Sequence, residues 1–99
     1  MRRIELDGAR LTQRGQAMAY LNEKLELPEW WGRNLDALHD CLTELGEPTA
    51  LALSHRAELE GAIFGRRLLR VLEDAAEDNR FLWIEEAIVE DGGDGTDSG

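Results

Sequence analysis

Cysteine occurs once, at Cys41. A lone thiol excludes an internal disulfide and a cysteine-built zinc site, and it suits a reducing compartment. Proline occurs twice, at Pro28 and Pro48, so each marks a break. No apolar run approaches the length of a membrane span. The opening Met1-Arg2-Arg3-Ile4-Glu5-Leu6-Asp7-Gly8 lacks the apolar stretch of a secretory signal, and without one the arginine pair is no twin-arginine signal. The expected setting is the cytoplasm. Basic residues are short as well: 11 Lys and Arg stand against 21 Asp and Glu, a net charge of -10. Bare nucleic acid is then a poor partner, because phosphate contacts need surplus Lys and Arg. A partner with a basic site is favoured, although acidity also serves solubility.

What is present is enough for one folded domain. Hydrophobic residues make up 42% of the 99 positions, and a chain of this length buries about 65% of its unfolded surface. Residues 3–6 alternate and stop at Asp7-Gly8, a turn pair, which predicts a first strand. Thr12 is a candidate N-cap for a helix to about residue 25, with Ala17, Met18, Leu21 and Leu25 at helical spacing. Pro28 and Gly32 interrupt the pattern, and Asn34 is placed to cap a second helix over 35–45, ended by Gly46 and Pro48. Residues 49–53 form a mostly apolar second strand. Ser54 is a candidate cap for a short helix over 56–64, and Gly65 is expected to break it from another over 66–78. Residues 81–84 form the third strand, with Trp83 expected in the core. The predicted class is α/β: a three-stranded parallel sheet, joined by crossovers and packed against about four helices. The domain is expected over 1–90. Residues 91–99, acidic and glycine-rich with no apolar side chain, are expected to be a disordered tail.

The second helix carries the functional signal. At roughly 100° per residue, Leu35, Leu38, Leu42 and Leu45 share one side. Asp36, Asp40 and Thr43 share the other, flanked by His39 and Glu44. Asp36 and Asp40 are four apart and therefore neighbours, a repulsion of a few tenths of a kcal/mol that the helix N-terminus partly offsets for Asp36. Such a pattern alone is the ordinary solvated face of an amphipathic helix. The adjacent Trp30 and Trp31, in a loop broken by Pro28 and Gly32, change the balance, because tryptophan beside a charged patch is an interface composition. Trp31 also has the alternative of filling the core. Cys41 lies toward the apolar side and is expected to be buried rather than nucleophilic. His39 with Asp36 and Asp40 makes at most a weak cation site, so neither metal nor cofactor is expected. Arg66, Arg67 and Arg70 fit a solvated helix face.

The run Leu27-Pro28-Glu29-Trp30-Trp31-Gly32-Arg33-Asn34-Leu35-Asp36-Ala37-Leu38-His39-Asp40-Cys41-Leu42-Thr43 closely resembles the central segment of the barstar family. Barstars are intracellular protein inhibitors of secreted microbial ribonucleases of the barnase, guanyl-specific type. The resemblance is sharp over 27–43, and outside that run it rests on element order. It implies the barstar-like sheet-and-helix fold. It also implies a non-enzyme that is a monomer when free and binds its ribonuclease 1:1, with no nucleic acid and no membrane involved. The second helix and the preceding loop enter the enzyme's cleft. Asp40 stands where the substrate phosphate binds, Asp36 pairs with another basic residue, and Trp30 packs on the catalytic histidine. The implied partner-binding set is Trp30, Trp31, Gly32, Asn34, Asp36, His39, Asp40, Thr43, Glu44, Val71 and Asp74.

The chain departs from the family's best-known member at three of these places and at Leu45. His39 and Leu45 replace tryptophans, Trp30 replaces a tyrosine and Asp74 replaces a glutamate. These departures point to a different ribonuclease. They also leave two other classes in view: a barstar-fold module for a non-ribonuclease partner, and an enzyme using Asp36 and Asp40 as an acid–base pair. The last is disfavoured, because an exposed convex helix supplies no desolvation to separate the two carboxylates.

Overall fold

The computed structural model describes residues 1–87, a three-stranded parallel sheet with helices packed on it. The chain runs β1 (Arg2–Asp7), α1 (Arg14–Leu25), α2 (Leu35–Thr43), β2 (Thr49–Ser54), α3 (Arg56–Glu60), α4 (Ile63–Asp78) and β3 (Leu82–Glu86), with short 3-10 turns at Gly8–Arg10 and Glu29–Trp31. The expected domain end at residue 90 and the tail over 91–99 lie outside the described residues.

The sheet order is β1-β2-β3, both pairings parallel, with Ile4 opposite Leu51 and Leu51 opposite Ile84. Alternation divides it into two unlike faces. Ile4, Leu6, Leu51, Leu53 and Leu82 join the core with the buried faces of the helices, including Met18, Leu21, Leu38, Leu42, Leu68 and Leu72. The opposite face carries Arg3, Glu5, Ala50, Ala52, Trp83 and Glu85. Ala50 and Ala52 are fully buried yet lie outside that core. On this face Arg3 pairs with Glu5 at 2.9 Å and reaches across the central strand to Glu85 at 3.6 Å. Alanine in the central strand leaves room for these long side chains to lie flat, their methylenes on the sheet and their charges in water. Trp83 belongs to this second face and is only half-buried, which corrects its expected place in the core. Strand alternation puts it opposite Leu82 and Ile84.

Three helix starts differ from expectation. α1 begins at Arg14, after Gln13, with no side-chain cap from Thr12. Ser54 stays in β2 and donates to the Leu6 carbonyl at 3.4 Å. The capping position of α3 falls to His55, which is left-handed at φ 53° and whose Nδ1 lies 2.8 Å from Asp7 Oδ1. Gly65 does not separate two helices. It lies inside α4, and the break comes at Gly61-Ala62. The first turn of α4 presses onto the end of α3 so closely that a Cβ on Gly65 would collide with the Leu59 carbonyl oxygen and stand 3.0 Å from its carbon. The glycine thus marks a close approach between helices, a role that sequence punctuation cannot distinguish from a break.

Two glycine substitutions therefore have opposite signs. Helix propensity alone favours alanine over glycine by about 1 kcal/mol at either site. Gly15→Ala in α1, where nothing lies within 4 Å, raises stability by up to that amount. Gly65→Ala lowers it by about 1–3 kcal/mol through overpacking. Urea midpoints of the two variants check both signs.

Candidate functional site

The loop before α2 is built to hold the helix in one place. Trp31 is 2% exposed, and its Nε1–H donates to Asn22 Oδ1 of α1 at 3.0 Å. Gly32 and Arg33 follow with left-handed backbones, φ 59° and 55°. For Arg33 that conformation costs roughly 1–2 kcal/mol. It persists because its surroundings fix both ends of the turn: Trp31 is sunk in the core, and Asn34 is committed to the helix. Asn34 Oδ1 accepts from the Ala37 amide at 2.8 Å, and its Nδ2 donates to the Trp31 carbonyl at 3.3 Å. This is the N-cap expected from sequence.

The other end of α2 has no basic residue in its last turn. Its last turn and the segment just beyond it are held from a distance by Asn79, just past the end of α4 and 6% exposed. Asn79 Nδ2 donates to the carbonyls of Leu42 at 2.9 Å and Leu45 at 3.0 Å, while its Oδ1 accepts from the Phe81 amide at 2.9 Å. One buried amide therefore joins the end of α2 to the turn leading into β3. Sequence reasoning missed it; the only local signal was an Asn just after a periodic helix, which equally suggests a simple helix stop.

Between these anchors α2 buries Leu38, Cys41 and Leu42 and shows Asp36 and Asp40 to solvent, the Asp40 side chain 66% exposed. Trp30 is exposed beside them at 58%, and Gly32, Asn34 and Glu44 are exposed too. Val71 is half-buried and Asp74 exposed on α4, the helix packed along α2. The remaining residues of the set are less free. Thr43 Oγ1 donates to the Asp40 carbonyl at 2.9 Å within the helix. His39 Nε2 lies 3.2 Å from Asp78 Oδ2 on α4, and its Nδ1 lies 3.8 Å from Asp40 Oδ1. Trp31 leaves the contact set: its side chain is sealed in the core and cannot reach a partner, and its role is to seat the loop. The burial that excludes it is the core alternative weighed from sequence.

Catalytic furniture is sparse around this face. The Cys41 thiol is pushed up from its ordinary 9.0 by burial first and then by the nearby Glu44 and Asp40 carboxylates. It is thus held protonated, the opposite of an activated nucleophile. Among the described residues no three His, Cys, Asp or Glu side chains come together to hold a metal ion, and no helix is long and apolar enough to cross a membrane.

Residues 1–87 match the family model described as Barstar (barnase inhibitor). The chain belongs to the barstar family. A Bacillus subtilis (strain 168) protein named "Putative ribonuclease inhibitor YrdF" is similar to it, 35% identical over 82 residues that cover 79% of this chain and 89% of that protein. The family match extends over β1 and β3 as well as the central run, so barstar likeness covers the whole described fold.

Asn79→Ala tests how this barstar helix is held. It removes the side-chain partner of the Leu42 and Leu45 carbonyls and of the Phe81 amide, and a buried polar group left without its bond costs about 1–3 kcal/mol. We expect a loss of about 3 kcal/mol in urea unfolding, with faster amide exchange at the end of α2 than in α1.

Proposed function

We propose that the protein is a stoichiometric inhibitor, not an enzyme, acting 1:1 on a secreted guanyl-specific microbial ribonuclease of the barnase type. The observation that carries this reading is the match of residues 1–87 to a family described as barnase inhibitors. The relative's printed name agrees with it.

The chemistry at the surface supports the same reading. A ribonuclease must stabilise the anionic transition state at phosphorus, so it gathers cations in a concave site. Asp40 is a carboxylate at the crest of a short helix anchored at both ends, so placing it in such a cleft requires little ordering. In this reading Asp40 stands where the substrate phosphate would lie, Asp36 pairs with a second cation one turn away, and Trp30 packs on the catalytic histidine. Gly32 and Asn34 allow close backbone approach, and Val71 and Asp74 extend the contact onto α4, with His39, Thr43 and Glu44 at its border. The net charge of -10 speeds encounter with a cationic enzyme. Acting inside the producing cell, the inhibitor would neutralise the nuclease before export.

A second reading, a barstar-fold module for a non-ribonuclease partner, is favoured by one feature: the His39 ring, on the contact face, is engaged by Asp78. Titration of the purified protein into a panel of guanyl-specific ribonucleases separates the two. Inhibition at a 1:1 endpoint is expected, and no inhibition across the panel selects the module. Asp40→Ala is expected to weaken inhibition at least ~100-fold, the loss of a central charged anchor worth about 3 kcal/mol, with the melting temperature unchanged. Normal inhibition by that variant would overturn the helix-face mechanism.

A further inference from the structure

The flank of this acidic surface carries the opposite charge. At the N-terminal end of α2 the surface dips into an open hollow of ≈ 380 Å³ lined by Arg14, Asn34, Leu35, Asp36 and Arg67. Arg14 is the first residue of α1 and Arg67 lies in the second turn of α4, so three helices bring their N-terminal parts together here. The Arg14 guanidinium is held over the Phe64 ring, 5.8 Å from its centre, and Phe64 is one helical turn from Arg67 on α4. Stacking of this kind fixes the cation in place without neutralising it.

The hollow brings together two cations of an acidic chain. Acidic residues outnumber basic ones 21 to 11, and of the basic residues Arg3, Arg10 and Arg56 reach a carboxylate among the described residues. Arg14 and Arg67 are exposed, and among the described residues neither forms an ion pair. Asp36 shares the hollow with them but lies beyond ion-pair distance of both. One carboxylate beside two guanidinium groups leaves a local surplus of positive charge, reinforced by the positive end of α2. Because Asp36 is also part of the proposed contact face, a partner that covers α2 covers this hollow.

We propose that the hollow is a second docking subsite and takes a carboxylate side chain from the rim of the partner ribonuclease. The proposal rests on the inhibitor reading and deepens it by specifying the partner. Guanidinium groups match a carboxylate in geometry and charge. The contact surface is then bipolar: basic at Arg14 and Arg67, acidic at Asp40 and along α4 at Asp74 and Asp78. It fits an enzyme whose cationic cleft has an acidic rim and discriminates against one that is basic throughout.

The sign of one variant tests this. Arg67→Glu makes the protein more acidic, which would tighten binding to a uniformly basic enzyme. Occupancy of the hollow by a carboxylate predicts the reverse: inhibition of a barnase-type ribonuclease that the unaltered protein inhibits weakens at least tenfold. The same weakening is expected in an Asp36→Ala background, which separates a direct contact from mere support of Asp36. Arg67→Lys should recover most of the binding, and unchanged melting temperatures establish folding. Unchanged or tighter inhibition by Arg67→Glu, or a loss that vanishes in the Asp36→Ala background, overturns the subsite while the inhibitor reading stands. Absence of inhibition by the unaltered protein across the ribonuclease panel removes both.

Discussion

The position of α2 depends on a buried amide far away in sequence. A nine-residue helix cannot hold itself together in water, and this one has no cation at its C-terminus to meet its last carbonyls. Asn79 meets the Leu42 carbonyl in the last turn and the Leu45 carbonyl just beyond it, and binds the Phe81 amide with its own oxygen. The same side chain therefore fixes the end of the helix and the approach to β3. At the other end Asn34 caps the helix and grips the Trp31 carbonyl, while Trp31 is itself pinned to α1 through Asn22. The exposed face of α2 is rigid because its buried surroundings are over-determined.

The division of the sheet follows from the same economy of elements. With all the core leucines of β2 facing one way, the helices gather on one side, and the other side must shield the central strand without them. Ala50 and Ala52 keep that side low, and Arg3 and Glu85 close over it. Surface ion pairs of this exposure contribute at most about 1 kcal/mol each, so the cover matters for keeping water off the strand more than for its charge. Placing α1, α2 and α4 together on one face also sets α4 along α2. That is why Asp78, distant in sequence, lies 3.2 Å from His39.

Much of this was legible in the sequence because it is written in local signals. The three strands, their parallel order, the Asn34 cap and the outward face of Asp36 and Asp40 all follow from spacing and punctuation within a few residues. What was not legible depends on contacts across the fold. Gly65 carried a glycine's usual message of interruption, whereas its meaning lies in the Leu59 carbonyl pressed against it. Ser54 had the composition of a cap but was needed to bond across to β1. Asn79 sits where a helix-ending residue belongs, and its hydrogen bonds run 34 and 37 residues back along the chain. Trp31 and Trp30 are adjacent and chemically identical, yet the loop buries one and exposes the other. Membership of the barstar family was legible in the run over 27–43, because that run combines the loop, the cap and the acidic face in one unbroken stretch.

The acidic face is also informative for what the fold declines to do with it. Some carboxylates of the chain are put to structural use: Asp7 caps a turn and binds His55, Glu60 and Glu73 hold Arg56, and Glu85 holds Arg3. Asp36 and Asp40, one turn apart on the same helix, are joined to no arginine or lysine among the described residues. Their mutual repulsion is small and only partly offset, for Asp36, by the helix N-terminus. In the proposed reading, two neighbouring carboxylates with no arginine or lysine partner on a helix held at both ends keep their attraction for a cation that arrives from outside.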